Sequence, residues 1–306
     1  MLLSSPLLAA LLGLALSQYD YGYDYQPAEV RPPTPRCADE CECPTHFTSA
    51  MYCNNRELKA VPFVPTGIKY VYLQDNHLTE IKAGVFDNVT DLRWLILDNN
   101  ALTNDKIEKG SIDKLTKLEK LHINNNKLTE VVVPKSSAME EIKMMSNEIT
   151  KFPAGLLSGM DNLTAVHLSK NQLTTEGITG AFKGLKSLML LDVSENKLKK
   201  LPAGLPSSLM MLYADHNEIE SIAVSYLQKL PTLQYLRMSH NKLQDSGVPA
   251  GVFNVSALIE LDLSYNKLGA IPEVGENLEH LYLQVNEISS EFSILFLRMS
   301  QPLPFD

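Results

Sequence analysis

The stretch LDLSYNKL at residues 261–268 has nine relatives in the same chain. The pattern L-x-L-x-x-N-x-L, with other apolar residues admitted at the Leu positions, places its Asn at Asn76, Asn100, Asn126, Asn147, Asn171, Asn196, Asn217, Asn241, Asn266 and Asn286. The successive gaps are 24, 26, 21, 24, 25, 21, 24, 25 and 20 residues. Periods of roughly 20–29 residues with this signature mark leucine-rich repeats. Leu261 and Leu263 alternate with Asp262 and Ser264, which is the two-residue period of a strand with one buried face. Leu268 joins the inward set, and Asn266 stands where the chain turns out of the strand. One such unit cannot bury its apolar face alone, so neighbours must stack and share a core. The expected fold is an α/β repeat solenoid: a leucine-rich repeat horseshoe with a parallel sheet on its concave face. The gaps run long, long, short three times over, which predicts a larger repeat of three units with its shorter returns at the third.

A stack needs closed ends. Residues 1–17, MLLSSPLLAALLGLALS, form an uncharged apolar run ending in small residues, the composition of a secretory signal peptide. Residues 18–36 are rich in Tyr, Asp and Pro without apolar period and read as a flexible arm. Its Tyr19, Tyr21, Tyr23 and Tyr25 lie beside Asp20 and Asp24, a setting for tyrosine sulfation. Residues 37–60 hold all four cysteines, Cys37, Cys41, Cys43 and Cys53, and form the N-terminal cap. An even set in a secreted chain predicts two disulfides with three possible connectivities. Zinc is the competing reading, and the spacing lacks the paired C-x-x-C rhythm of zinc sites. The ten ladder units occupy residues 61–288, and 289–306 form an atypical tail whose Ile294, Leu295, Phe296 and Leu297 either partly cover the last repeat or stay exposed and invite aggregation.

The composition excludes several functions. Acids outnumber bases by 36 to 27, a net charge of −9, whereas nucleic-acid binding needs a basic surface. No segment after the expected signal peptide is long and apolar enough to span a membrane. The seven histidines are scattered, and the chain has no nucleophile elbow, phosphate loop or zinc-protease motif, so neither enzyme, cofactor nor metal site is expected. Three N-x-S/T sequons, at Asn88, Asn162 and Asn254, each precede a repeat strand by four to seven residues. Glycans there would sit outside the core.

The free positions of the repeat carry the remaining information. In LYADHN, Leu212 and Ala214 face inward, so Tyr213 and Asp215 project from the concave sheet with His216 near its edge. Strands about 4.8 Å apart set Asp192 and Ser194 on one side and Arg237 and Ser239 on the other. Asp262, Ser264 and Tyr265 follow. Such a face suits an elongated partner presenting Lys and Arg.

The Tyr-rich arm, the C-x3-C-x-C-x9-C cap and the three-unit rhythm together resemble the class II small leucine-rich proteoglycans. SAMYCNNRELKAVP, NVTDLRWLILDNNAL and FNVSALIELDLSYNKL carry the likeness. The resemblance implies a secreted extracellular-matrix protein that binds fibrillar collagen, restrains lateral fibril growth and carries N-linked keratan sulfate. It implies the pairing Cys37–Cys43 and Cys41–Cys53. It also places collagen contact on central repeats, giving Asp215 as the main contact with Tyr213, Asp192 and Arg237 as contributors. A ligand trap or innate-immune modulator, taking growth factors or microbial products on the same face, is the alternative. Two features depart from the family: Asn126, in NNNKLTE, is followed by Lys-Leu-Thr and is no sequon, and the sequence has no cysteine pair for a long ear repeat.

Overall fold

A computed structural model describes residues 37–289. Residues 1–17, read above as a signal peptide, residues 18–36, read as an arm with Tyr19, Tyr21, Tyr23 and Tyr25, and all but the first residue of the expected tail lie outside them. Eleven three-residue strands run in sequence order through one parallel sheet. They are β1 Ala50–Tyr52, β2 Tyr70–Tyr72, β3 Trp94–Ile96, β4 Lys120–His122, β5 Glu141–Lys143, β6 Ala165–His167, β7 Leu190–Asp192, β8 Met211–Tyr213, β9 Tyr235–Arg237, β10 Glu260–Asp262 and β11 His280–Tyr282. The register is constant: Leu191, Leu212, Leu236, Leu261 and Leu281 pair in succession. Each is a central strand residue pointing into the core, and its two flanking residues face the concave side.

Ten strands carry the ladder pattern; β1 is the eleventh and belongs to the cap. No ladder Asn follows β1, which hides it from the repeat pattern. Its Met51 and Cys53 nevertheless fill the two inward positions and are fully buried. The cap is closed by disulfides Cys37–Cys43 and Cys41–Cys53, and Glu42 pairs antiparallel with Tyr52 on the outer edge of the sheet.

The Asn ladder is a set of links between repeats. Asn241 Nδ2 donates to the carbonyls of Ala214 (2.9 Å) and Met238 (3.1 Å), and its Oδ1 accepts from the Ile219 amide at 2.9 Å. Asn217 and Asn266 do the same one repeat before and after. These buried backbone groups have no strand partner, and an unsatisfied one costs about 1–3 kcal/mol. The turn into each Asn needs a left-handed residue. All ten positions before the ladder Asn have φ between 50° and 59°, from Asp75 through His216, His240 and Tyr265 to Val285. Asn, Asp and His tolerate that region better than most residues, and a β-branched Val tolerates it poorly, so at Val285 the repeat's turn overrides local preference.

The convex returns are turns with three short 3₁₀ segments, at Asn104–Lys106, Leu227–Lys229 and Asp245–Gly247. These segments are the helical component of the solenoid among the described residues. Phe86, Phe152, Phe182 and Phe253 are fully buried beneath the returns. The three-unit rhythm is visible there. Gly177 and Gly247 occupy equivalent places three repeats apart, and a Cβ on either would come within 2.6 Å of the Thr150 carbonyl or 2.0 Å of the Glu220 carbonyl.

Candidate functional site

The concave face is built from the first and third residues of each strand and the residue two beyond. Along the sheet it falls into three zones.

The first zone, on β1–β3, is aromatic. Tyr52 and Tyr72 stack in parallel with ring centroids 4.8 Å apart, and Phe47 stacks on Tyr70 at 5.5 Å. Trp94 meets Tyr70 edge-on at 5.1 Å. Lys120 of β4 sets its ammonium 4.8 Å from the Trp94 centroid, a cation–π contact.

The second zone centres on Glu141 of β5. Its carboxylate lies 2.9 Å from His122 Nε2, 3.0 Å from Lys143 Nζ, 3.7 Å from Lys120 Nζ and 4.0 Å from His167 Nε2. Burial works to raise the Glu141 pKa, but hydrogen bonds from Lys143 and His122 outweigh it and hold it at about 2. Burial pushes both His122 and His167 below the usual histidine value. Ionised Glu141 can only accept, so its 2.9 Å contact places a proton on His122 Nε2. Because the folded pKa of Glu141 lies below its ordinary 4.5, ionised Glu141 stabilises the fold above about pH 4.5 and loses that contribution as pH falls toward 2. Thermal melts across this window are expected to fall in the native chain, and Glu141→Gln should flatten that part of the profile. An identical acid profile in the variant would contradict this.

The third zone, on β7–β10, holds the residues singled out in LYADHN. Asp192, Tyr213 and Arg237 occupy one register row. Asp215 Oδ1 accepts from the Ser239 amide (2.7 Å) and hydroxyl (2.8 Å), and its own amide donates to Ser194 Oγ at 3.2 Å. Its Oδ2 faces Arg237 Nε at 3.6 Å. The Arg237 guanidinium lies 5.7 Å from the Tyr213 ring centroid and its other end reaches 4.0 Å from Asp262 Oδ2. Burial pushes the Asp215 carboxyl up, and the Ser239 hydrogen bonds and Arg237 oppose that shift. The zone holds Asp192, Asp215, Glu260 and Asp262 against one Arg237, an excess of three negative charges.

Asp215 is thus a fixed carboxylate with one oxygen committed to Ser239 and the other presented beside Arg237. The sequence placed these residues as neighbours but not this division of labour. It also singled out neither Asp262 as a second anchor for Arg237 nor the Glu141 cluster. Reading the strand residues as columns down the repeats would have revealed both. His216 lies at the sheet edge, where its ring stacks on His240 at 4.0 Å and His240 stacks on Tyr265 at 3.9 Å. These rings are the side chains of three successive left-handed positions. Asn88, Asn162 and Asn254 are exposed, each followed by a buried residue, Val89, Leu163 or Val255.

The leucine-rich repeat family matches residues 66–128, and a second leucine-rich repeat description matches 160–180 and 229–250. Lumican of Gallus gallus is 51% identical over 306 residues, covering 99% of this chain and 89% of its own. Fibromodulin of Homo sapiens is 47% identical over 276 residues, covering 90% and 73%. Among solved structures, the octameric complex of latrophilin 3, Unc5D and the FLRT2 leucine-rich repeat aligns with a TM-score of 0.64 at 27% identity, over 82% of this chain and 70% of the matched one. The chain belongs to the lumican and fibromodulin family, the secreted class II small leucine-rich proteoglycans of the extracellular matrix.

Proposed function

We propose that this proteoglycan core binds fibrillar collagen through β7–β10 of the concave face and so limits lateral fibril growth. The observation that supports the reading is the third zone: four carboxylates and a single guanidinium on the concave positions of β7–β10, the guanidinium facing Asp215 and Asp262. A collagen triple helix is a rod of three extended chains whose X and Y side chains point outward, so its Lys and Arg can meet such a row. Asp215 is held in place by Ser239 before the partner arrives, which lowers the ordering cost of binding. Its Oδ2 then accepts a charge-assisted hydrogen bond from the partner, and Asp192, Tyr213 and Arg237 contribute around it. Glycans on Asn88, Asn162 and Asn254, carrying keratan sulfate, would extend from returns outside the sheet and keep neighbouring fibrils apart by their hydrated bulk.

The test is fibril assembly from purified collagen with and without the secreted protein. The protein is expected to co-sediment with fibrils and to reduce their diameter. Fibrils of unchanged diameter with no bound protein would contradict the proposal.

A further inference from the structure

The aromatic zone on β1–β3 has no part in the function just described. The Tyr52 and Tyr72 planes differ by 3° and those of Phe47 and Tyr70 by 22°, so the rings form two parallel stacks along the half-buried concave positions of β1 and β2. Among the described residues, the tyrosine hydroxyls hydrogen-bonded to protein are those of Tyr213 and Tyr226. Among those residues, none accepts a hydrogen bond from the hydroxyls of Tyr52, Tyr70 and Tyr72. The adjacent cations do not ask for an anionic ligand, because Lys120 and Lys143 already share Glu141. What is left to be satisfied is a strip of apolar ring surface bearing three hydroxyl donors.

A polyproline II chain matches that strip. It makes no internal hydrogen bonds, so its carbonyls are open acceptors, and its pyrrolidine rings dock against aromatic-lined surfaces. The collagen triple helix winds three such chains. We propose that Tyr52, Tyr70, Tyr72 and Trp94 form a second collagen subsite that takes an imino-acid-rich stretch and sets its register against the basic residue held at Asp215. This rests on the collagen reading above and adds a spacing to it. From β2 to β8 is six strand steps in the sheet, about 29 Å at roughly 4.8 Å per step. A polyproline II chain advances about 3.1 Å per residue, so the two contacts are separated by about nine residues, or three Gly-X-Y triplets.

The experiment uses the full chain and synthetic triple-helical peptides of Gly-Pro-Hyp triplets with one Gly-Pro-Arg triplet. An imino-free Gly-Ala-Gln triplet is moved stepwise away from the Arg. Affinity is expected to dip when the replacement lies about three triplets from the Arg on one side, and to recover further out. Tyr72→Phe, which keeps the ring and removes the hydroxyl, should weaken binding by about fivefold, the usual worth of one hydrogen bond. Trp94 is the only tryptophan in the chain, so its emission reports occupancy of the strip in the native protein without any substitution. A flat replacement scan, native affinity in Tyr72→Phe and unchanged Trp94 emission would overturn the second subsite. If Asp215→Ala still weakened peptide binding in that case, the collagen reading itself would stand. No Asp215 dependence and no peptide binding would sink that reading instead. A Trp94 response to heparin with none to the peptides would assign the strip to a sulfated polysaccharide and also overturn the proposal.

Discussion

Replacing Cys41 and Cys53 together by Ala is expected to lower the stability of the chain by about 2–5 kcal/mol, the usual loss for a native disulfide in a small secreted domain. The bond ties the loop before β1 to the residue that ends it. Cys53 is fully buried and occupies an inward position of the first strand, and its carbonyl accepts the side-chain amide of Asn76 at 2.8 Å. Loss of the crosslink therefore loosens both the cap and the first rung of the ladder. In a repeat protein each unit depends on its neighbour, so the damage should spread toward β2. Chemical denaturation followed by circular dichroism reads the effect, with the Trp94 signal of β3 reporting the N-terminal end. An unchanged midpoint would show that the cap adds nothing to the solenoid.

Asp215→Ala is expected to weaken binding to fibrillar collagen by at least about tenfold, as truncation of an interface hot spot does. Part of the change would be structural, because the variant also frees the Ser239 amide and hydroxyl. Asp215→Asn separates the two effects. Its amide oxygen can still accept from Ser239 while the charge is gone, so it should melt like the native chain yet keep most of the loss in affinity. Asp161→Asn, which breaks the exposed pair with Lys186 on a return, serves as the control and should bind normally. Affinity measured by surface plasmon resonance on immobilised fibrils decides between these outcomes. Native affinity in a folded Asp215→Asn chain would remove the charge from the account, and equal loss in Asp161→Asn would remove the concave face.

The repeat was legible because its rule is geometric. Leu261, Leu263 and Asn266 answer to one strand, one core and one turn, and the rule recurs at every copy. The strand at Ala50–Tyr52 escaped because Cys53 stands in for the second Leu and no ladder Asn follows. Nor did spacing choose among the disulfide pairings; that choice depended on family likeness. The site was legible only in part. That Tyr213 lies between Asp192 and Arg237 follows from strand order alone. The lock of Asp215 on Ser239 depends on side-chain rotamers across 24 residues. The Glu141 cluster draws its partners from β4, β5 and β6, and no local stretch contains it. The left-handed turn before each Asn left only a partial compositional trace: five of the ten positions hold Asn, Asp or His. The other five are Ser146, Lys170, Glu195, Tyr265 and Val285, and the same turn occurs at Asn55 before Arg56, so the conformation belongs to the turn out of the strand and the side chain is free to vary.

Hydroxyl-radical footprinting of the native chain, with and without a triple-helical collagen peptide, shows which face the collagen covers. It reads side-chain exposure by mass spectrometry and needs no substitution. Met211, Tyr213 and Tyr235, half-buried on the concave face, are expected to become protected, while exposed Phe63, outside the sheet, oxidises as before. Protection of Phe63 with no change at Met211, Tyr213 and Tyr235 would contradict the concave-face reading.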